Sequence, residues 1–298
     1  MENKGKAIAI GTFDGVHTGH QAVLGKLKEI SQRKDLEPVA VTFDRHPLSL
    51  INPLKTPKLI TTLSEKKRLL RQNGVTPLVL SFDVELRSIT AADWIKRMKE
   101  ELGAEEIVAG YDNTFGSDGV NLSLSDYKKI GEKIGVGINE APFVSGVSSS
   151  AIRKAVEAGK IEESNYMLGR PFSLSGEVVN GNKLGRTIGF PTANLSIDPA
   201  LLVPRQGVYV ATAELPDGKI MPAMVNIGIR PTIKRGEETT IETYIIDWTG
   251  DLYGENLTVV FHDRLRDEED FKTIDQLRRQ LMTDRVDALS VLQKKNII

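Results

Sequence analysis

Residues 6–20 read KAIAIGTFDGVHTGH, and their reading decides the fold of the first half of the chain. KAIAI (6–10) is a short apolar run that stops at a glycine, and QAVLGKLKEISQR (21–33) follows with apolar residues at helical spacing. A strand, a glycine-rich turn and a helix in that order open a βα unit. The pattern then repeats. PVAVTF (38–43), TPLVLSF (76–82) and EEIVAGY (105–111) read as strands. SEKKRLLRQNG (64–74), with Ser64 as N-cap and Asn-Gly as stop, and TAADWIKRMKEELG (90–103) read as helices. Strands that alternate with helices predict an α/β domain on a parallel sheet. Ligands on such sheets bind beyond the carboxyl ends of the strands, which is where GTFDGVHTGH falls.

The bulk properties bound the rest. At 298 residues the chain is expected to hold about two domains. A net charge of −1 excludes the strong basic bias of a nucleic-acid binder or a polybasic membrane protein. The absence of cysteine removes disulfides, thiolate metal sites and a cysteine nucleophile. The apolar run before Gly11 is too short for a signal h-region, and no stretch is long enough to span a bilayer. A soluble cytoplasmic protein is the expectation.

After about residue 170 the grammar changes. FSLSGEVV, GVYVATAEL, MPAMVNIG, TTIETYIIDW and LTVVFH are short β-rich runs separated by turn clusters such as PDGK (216–219) and WTGDLYG (248–254). Direct strand–turn–strand order predicts an antiparallel sheet or closed barrel. EEDFKTIDQLRRQL then predicts a covering helix with Phe271, Ile274, Leu277 and Leu281 on one face. The boundary is expected at LGRPF, giving domains 1–168 and 169–298.

Two of the four histidines, His17 and His20, lie three apart at the expected helix start, among Gly11, Gly15, Gly19 and Asp14. An i,i+3 pair shares a helix face, and a helix N-terminus favours anions. Gly19 lets a phosphate approach the backbone closely. The alternatives are a metal site, which lacks further His or Cys ligands at useful spacing, and two incidental surface histidines. In VSSSAIRKAVEAG (147–159) Ser149 and Ser150 stand before a helix that carries Arg153, read either as a plain Ser cap or as a second anion cradle.

GNKLGRTIGFPTAN (181–194) places Gly181, Gly185 and Gly189 around Lys183 and Arg186. Such a loop suits a polyphosphate, and equally a series of turns. Thr192 and Asn194 are alternate residues and point the same way in an extended segment. Their hydroxyl and amide oxygens are hard ligands suited to Mg²⁺.

GTFDGVHTGH resembles the GxFDxxHxGH signature of the adenylyl- and cytidylyltransferase superfamily, and GNKLGRTIGFPTAN resembles the riboflavin kinase signature GxxxGRxxGFPTAN. GVYVATA (207–213), VNIGIRPT (225–232), IETYIIDWTGDLYG (241–254) and FHDRLRDEEDF (261–271) agree with the second. Over nearly its whole length the chain is similar to the prokaryotic bifunctional riboflavin kinase/FMN adenylyltransferase (FAD synthetase) family. That resemblance implies a Rossmann-like nucleotidyltransferase domain followed by a six-stranded Greek-key barrel. It implies conversion of riboflavin to FMN and of FMN to FAD, with ATP and Mg²⁺, and neither a nucleic-acid nor a membrane partner.

It also implies roles. His17, His20, Ser149, Ser150 and Arg153 would hold nucleotide phosphates, with Gly11, Phe13, Asp14 and Gly19 shaping that loop. Gly181, Lys183 and Gly185 would face the second nucleotide, Thr192 and Asn194 the metal, and Glu242 would be the kinase base. Asp112, Phe115, Asn226 and Arg266 would contact flavin, with Arg230 near the second site. Residues 110–116, GYDNTFG, depart from the family's GxDFxFG at Asn113, and Arg45 in TFDRHP takes a slot usually held by proline. These changes bear on FMN affinity. A chain with one live activity, or a flavin-sensing regulator on the same scaffold, are the alternatives at this point.

Overall fold

The computed structural model describes residues 4–110, 115–181, 184–232 and 236–298, with side chains described throughout except at 184, 230–232 and 236–238. By contact these residues form two compact units, Met1–Ser149 and Ser150–Ile298.

The first unit runs β1 (Lys6–Ile10), α1 (Thr18–Lys34), β2 (Glu37–Phe43), α2 (Pro47–Ile51), α3 (Leu63–Gln72), β3 (Thr76–Leu80), α4 (Val84–Ser88), α5 (Ala91–Leu102), β4 (Ala104–Ala109), α6 (Leu124–Ile134) and β5 (Gly137–Glu140). Its strands form a parallel sheet in the order β3-β2-β1-β4-β5. The strand alternation of β1 feeds two cores. Ile8 and Ile10 pack with Trp94, Ile95 and Met98 of α5. Ala7 and Ala9 face Leu24, Leu27 and Ile30 of α1, where small side chains let the helix lie close. The order reverses between β1 and β4, which makes their carboxyl ends the crevice of this sheet. The α/β expectation is met. The cap of α3 is not Ser64: Thr62 accepts from Glu65 N, because the chain turns earlier, at residues 60–61, for a reason given below.

The second unit begins within α7 (Ser149–Glu157) and continues as α8 (Ile161–Leu168), β6 (Phe172–Val179), α9 (Leu184–Thr187), β7 (Thr192–Ser196), β8 (Gly207–Glu214), β9 (Ile220–Thr232), β10 (Gly236–Ile245), β11 (Asn256–Arg266) and α10 (Ile274–Lys294). Six antiparallel strands close in the order β10-β7-β6-β11-β8-β9, as expected. Tyr209, Ala211, Ala223, Val225, Val259 and Phe261 are wholly buried and fill the interior. α8 is tied to the barrel through Asn165, which donates to Phe261 O at 2.9 Å and accepts from Phe172 N at 2.7 Å.

α10 covers part of the outer barrel face, where Leu277, Leu281, Ala288 and Leu292 pack with Phe190, Val210, Met224 and Tyr244. The expected apolar stripe is corrected at its start. Thr273 caps the helix by accepting from Gln276 N, so Phe271 precedes it, and Ile274 is 59% exposed.

His262 is buried on β11, with Nε2 at 3.0 Å from the Thr212 hydroxyl. Burial, and next the Lys295 charge, pull its pKa from 6.5 down to about 4. The unfolded chain therefore binds this proton more readily than the folded one. The stability tied to neutral His262 is present above about pH 6.5 and is lost as the pH falls toward 4. The urea midpoint of this unit, read by Trp248 fluorescence in a Trp94→Phe background, is expected to fall over that window. In His262→Gln the fall is expected to be shallower.

Candidate active sites

The loop that leaves β1 is held in an unusual backbone. Phe13, Gly15 and Val16 have φ of +48°, +82° and +40°. Glycine takes this region freely, whereas a β-branched residue there is strained by roughly 1–3 kcal/mol. The compensation is local. Phe13 and Val16 bury their side chains. The buried Asp14 carboxylate accepts from Ile60 N at 3.0 Å and from Thr61 N at 3.1 Å. Gly15 N donates to Thr61 Oγ1 at 3.1 Å, and the Ser149 hydroxyl donates to Asp14 O at 3.1 Å. Asp14 thus acts as a clasp on residues 60–61, and this is what sets the early turn into α3.

The loop delivers His17 as the N-cap of α1, with Nδ1 accepting from His20 N at 3.2 Å. A backbone N–H can only donate, so neutral His17 carries its proton on Nε2. His20 stacks on it with ring centroids 3.7 Å apart and planes at 16°, and Phe13 meets His20 edge-on at 5.2 Å. A β-carbon at Gly19 would lie 3.1 Å from the His17 ring; glycine there leaves room for the stack. Burial, then the charges of His17 and Lys66, hold the His20 pKa well below 6.5. Imidazole N–H groups at a helix N-terminus are donors, the arrangement an anion requires.

Beside this loop a small cleft of about 30 Å³ is lined by Thr12, Asp14, Asp44, Arg45, His46 and Lys66, among others. Lys66 was not singled out in the sequence. It lies on α3, one turn after Thr62, and donates to Thr12 O at 3.1 Å and Phe43 O at 3.0 Å. Only the fold brings it to the ends of β1 and β2.

Of the other expected residues in this half, Gly11 stands at the end of β1, with the Phe13 ring 3.4 Å from where a β-carbon would be. Phe115 is 6% exposed, and its backbone N and O both bond to the Tyr127 hydroxyl. Its ring belongs to the core around Trp94 and Tyr127. Asp112 and Asn113 lie outside the described residues. Ser150 and the buried Arg153 follow on α7 in the second unit.

In the barrel, residues paired across antiparallel strands share a face. Asn194 pairs with Glu242, Thr192 with Tyr244, and Asn226 with Glu242. Ile241 and Thr243 point inward and are buried, so Thr192, Asn194, Asn226 and Glu242 gather on the outside. Thr192 Oγ1 is 3.4 Å from Glu242 Oε2. A β-carbon at Gly181 would fall 2.2 Å from the Asn194 side chain, and one at Gly185 2.1 Å from Phe190 O. Both glycines are therefore explained by close approach. Lys183 and the Arg230 side chain lie outside the described residues.

Two cavities flank this cluster. One, of about 420 Å³, is lined by Arg186, Thr192, Trp248, Asp251 and Tyr253 among others. Arg186 lies over the Tyr253 ring at 5.6 Å and donates to its hydroxyl at 3.2 Å. The other, of about 340 Å³, combines apolar Ile188, Phe190, Met224, Leu277 and Leu281 with polar Asn226, Glu242 and Arg266. Thr192 lines both cavities. Arg266 donates twice to the buried carboxylate of Asp284, from Nε at 3.0 Å and Nη2 at 2.7 Å, and Asn226 donates to Glu268 at 3.0 Å. Trp248, Tyr253, Glu268 and Asp284 went unnoticed in the sequence. The aromatic pair flanking the turn TGDL was a readable signal, whereas Asp284 was hidden in a helix of ordinary polarity.

Among the described residues no group of three or more His, Cys, Asp or Glu could cage a metal ion. The oxygens of Thr192 and Asn194 fit instead a hard divalent cation that shares its shell with water and phosphate. Among the same residues no helix is long and apolar enough to cross a membrane.

Family models match both halves: FAD synthetase over residues 1–153 and riboflavin kinase over residues 168–292. The chain is 35% identical over 295 residues to the bifunctional riboflavin kinase/FMN adenylyltransferase of Bacillus subtilis, covering 97% of this chain and 93% of that one. It is 35% identical over 293 residues to the enzyme of the same name from Escherichia coli K12, covering 96% and 92%. A solved structure described as a macrolide-efflux protein from Streptococcus pneumoniae superposes with a TM-score of 0.88 at 33% identity, covering 96% and 94%.

The Asp14 clasp gives a direct expectation. Asp14→Ala leaves two buried N–H donors unpaired, so the first unit should lose about 2–4 kcal/mol of stability. Denaturant unfolding read by Trp94 in a Trp248→Phe background measures it, and a loss under about 0.5 kcal/mol would contradict the clasp.

Proposed function

Because the chain belongs to the family of bifunctional riboflavin kinase/FMN adenylyltransferases, we propose that its barrel phosphorylates riboflavin with ATP and that its α/β unit adenylylates the resulting FMN with a second ATP. The observation that carries the kinase reading is Thr192, which lines both of two cavities of different character and lies 3.4 Å from Glu242 in the lining of the second. The 340 Å³ cavity, apolar with a few polar groups, suits a flavin ring. The 420 Å³ cavity, with Arg186, Trp248 and Tyr253, suits a nucleotide. Where the two cavities share Thr192, the ribityl 5′-hydroxyl meets the γ-phosphorus. Glu242 takes the hydroxyl proton, the new O–P bond forms, and ADP leaves. Asn226 and the Asp284-anchored Arg266 line the flavin side and orient the substrate. Mg²⁺, held by the oxygens of Thr192 and Asn194, would offset phosphate charge.

Adenylyl transfer asks for less. The FMN phosphate is already mostly ionised at neutral pH, so it attacks the α-phosphorus and displaces pyrophosphate without a base. Charge stabilisation and alignment suffice, and the His17–His20 pair at the α1 N-terminus supplies alignment and N–H donors. Family models that match both halves, with His17, His20, Thr192, Asn194 and Glu242 retained, weigh against a chain with one live activity and against a pure sensor.

Incubation with riboflavin, ATP and Mg²⁺, followed by separation of the flavins, should yield FMN and then FAD. Glu242→Gln is expected to lower kcat for FMN formation by about 10²–10⁴-fold while FAD still forms from supplied FMN. His20→Ala is expected to stop at FMN. Equal loss of both steps in either variant would contradict separate sites.

A further inference from the structure

We propose that Lys66 is a catalytic residue of the adenylyl-transfer step, its ammonium donating a hydrogen bond to a non-bridging oxygen of the α-phosphoryl group of ATP. The inference rests on the adenylyltransferase reading of the first unit.

Three observations carry it. An ammonium has three N–H donors, and Lys66 spends two of them on Thr12 O and Phe43 O. The third has no partner among the described residues, and Lys66 lines the cleft at the carboxyl ends of β1 and β2. That cleft, of about 30 Å³, has room for roughly one water-sized group such as a phosphate oxygen.

The nearby carboxylates do not bar an anion, because their oxygens are already engaged. Asp14 accepts from Ile60 N and Thr61 N. Asp44 accepts from Phe82 N at 3.0 Å and the Ser81 hydroxyl at 2.9 Å. Arg45 and His46 line the same cleft and add no negative charge. Burial pulls the Lys66 pKa below its ordinary range, and the charges of Asp14 and Asp44 act against that pull. Its charge reaches the histidine pair, since it is among the causes that keep His20 neutral.

The placement fits the reaction. In an in-line displacement at the α-phosphorus, charge builds on the non-bridging oxygens as attacking and leaving groups share the centre. Burial and neighbouring charge hold the His20 pKa well below 6.5, so that imidazole contributes a dipole rather than a charge. A compact cation close to that pair supplies the full charge the transition state requires. The two carbonyl bonds fix the ammonium in advance, so its reorganisation cost is small.

A purely structural clasp between Thr12 O and Phe43 O is the competing account, and sulfur substitution separates the two. FAD formation from FMN is measured with ATP and with the Rp and Sp diastereomers of adenosine 5′-(α-thio)triphosphate. Measurements use the full-length wild type, Lys66→Met and Lys66→Arg. If Lys66 touches one α-oxygen, Lys66→Met lowers kcat with ATP by about 10²–10³-fold and changes the Rp/Sp rate ratio by roughly tenfold, while Lys66→Arg keeps a ratio nearer wild type. The ratio is independent of the fraction of folded protein, so a poorly folding variant still answers. An unchanged ratio in Lys66→Met, even with both rates reduced, would overturn the proposal and leave the adenylyltransferase reading standing. A wild type that forms no FAD from FMN would overturn that reading itself, and this inference with it.

Discussion

The first unit depends on one buried carboxylate. Asp14 sits in a loop whose backbone is unfavourable at Phe13 and Val16, and its hydrogen bonds to Ile60 N and Thr61 N offset that cost. Charged acceptors contribute roughly 1.5–3 kcal/mol per hydrogen bond, comparable to the strain of the two residues. The same bonds tie the entry of α3 to the exit of β1. As a result two unrelated stretches converge: the imidazoles at the start of α1 and Lys66 on the first turns of α3. The clasp thereby sets Lys66 against the carboxyl ends of β1 and β2, beside the loop that carries the imidazoles.

The second unit answers to a different constraint. A six-stranded barrel is too narrow to hold a ligand, and its interior is taken by Tyr209, Phe261 and small aliphatic side chains. Chemistry is therefore confined to the outward positions of alternating strands. Asn194, Asn226 and Glu242 occupy three such positions in one row across β7, β10 and β9. α10 and the segment around Gly185 wall a cavity over Asn226 and Glu242, and a second cavity, lined by Trp248, shares Thr192 with it. Buried Asp284 on α10 fixes Arg266 there, so the covering helix helps build the site as well as the core.

What the sequence made legible follows from the range of the interactions. Apolar periodicity and Gly-rich turns are local, and they marked β1, α5, β6 and β8 within a residue or two and located α1, β9, β10 and β11 without all of their ends. The faces of Glu242, Thr192 and Asn194 were also readable, because alternation along a strand is a local rule. The start of α3 was not, since Asp14 sets it from 46 residues away. Nor was Lys66, which reaches the crevice only when α3 docks. The apolar stripe assigned across Phe271 and Ile274 erred because a capping threonine, not the hydrophobic pattern, fixed where α10 begins. Phe115, whose motif implies a flavin contact, has its backbone N and O bonded to the Tyr127 hydroxyl and its ring in the core, a placement its motif alone did not show.

The two sites differ in kind because their nucleophiles do. A phosphate monoester arrives already charged, so a base beside it would add only repulsion. The histidine loop accordingly keeps its carboxylates, Asp14 and Asp44, bound to backbone and side-chain donors and presents imidazoles and an ammonium. An alcohol arrives neutral and must shed a proton, and the barrel sets Glu242 at 3.4 Å from Thr192, the residue that lines both of its cavities. Each unit thus holds the electrostatics that the other reaction would be hindered by, which is a physical reason for a chain that acts twice on one flavin to carry two folds rather than one shared pocket.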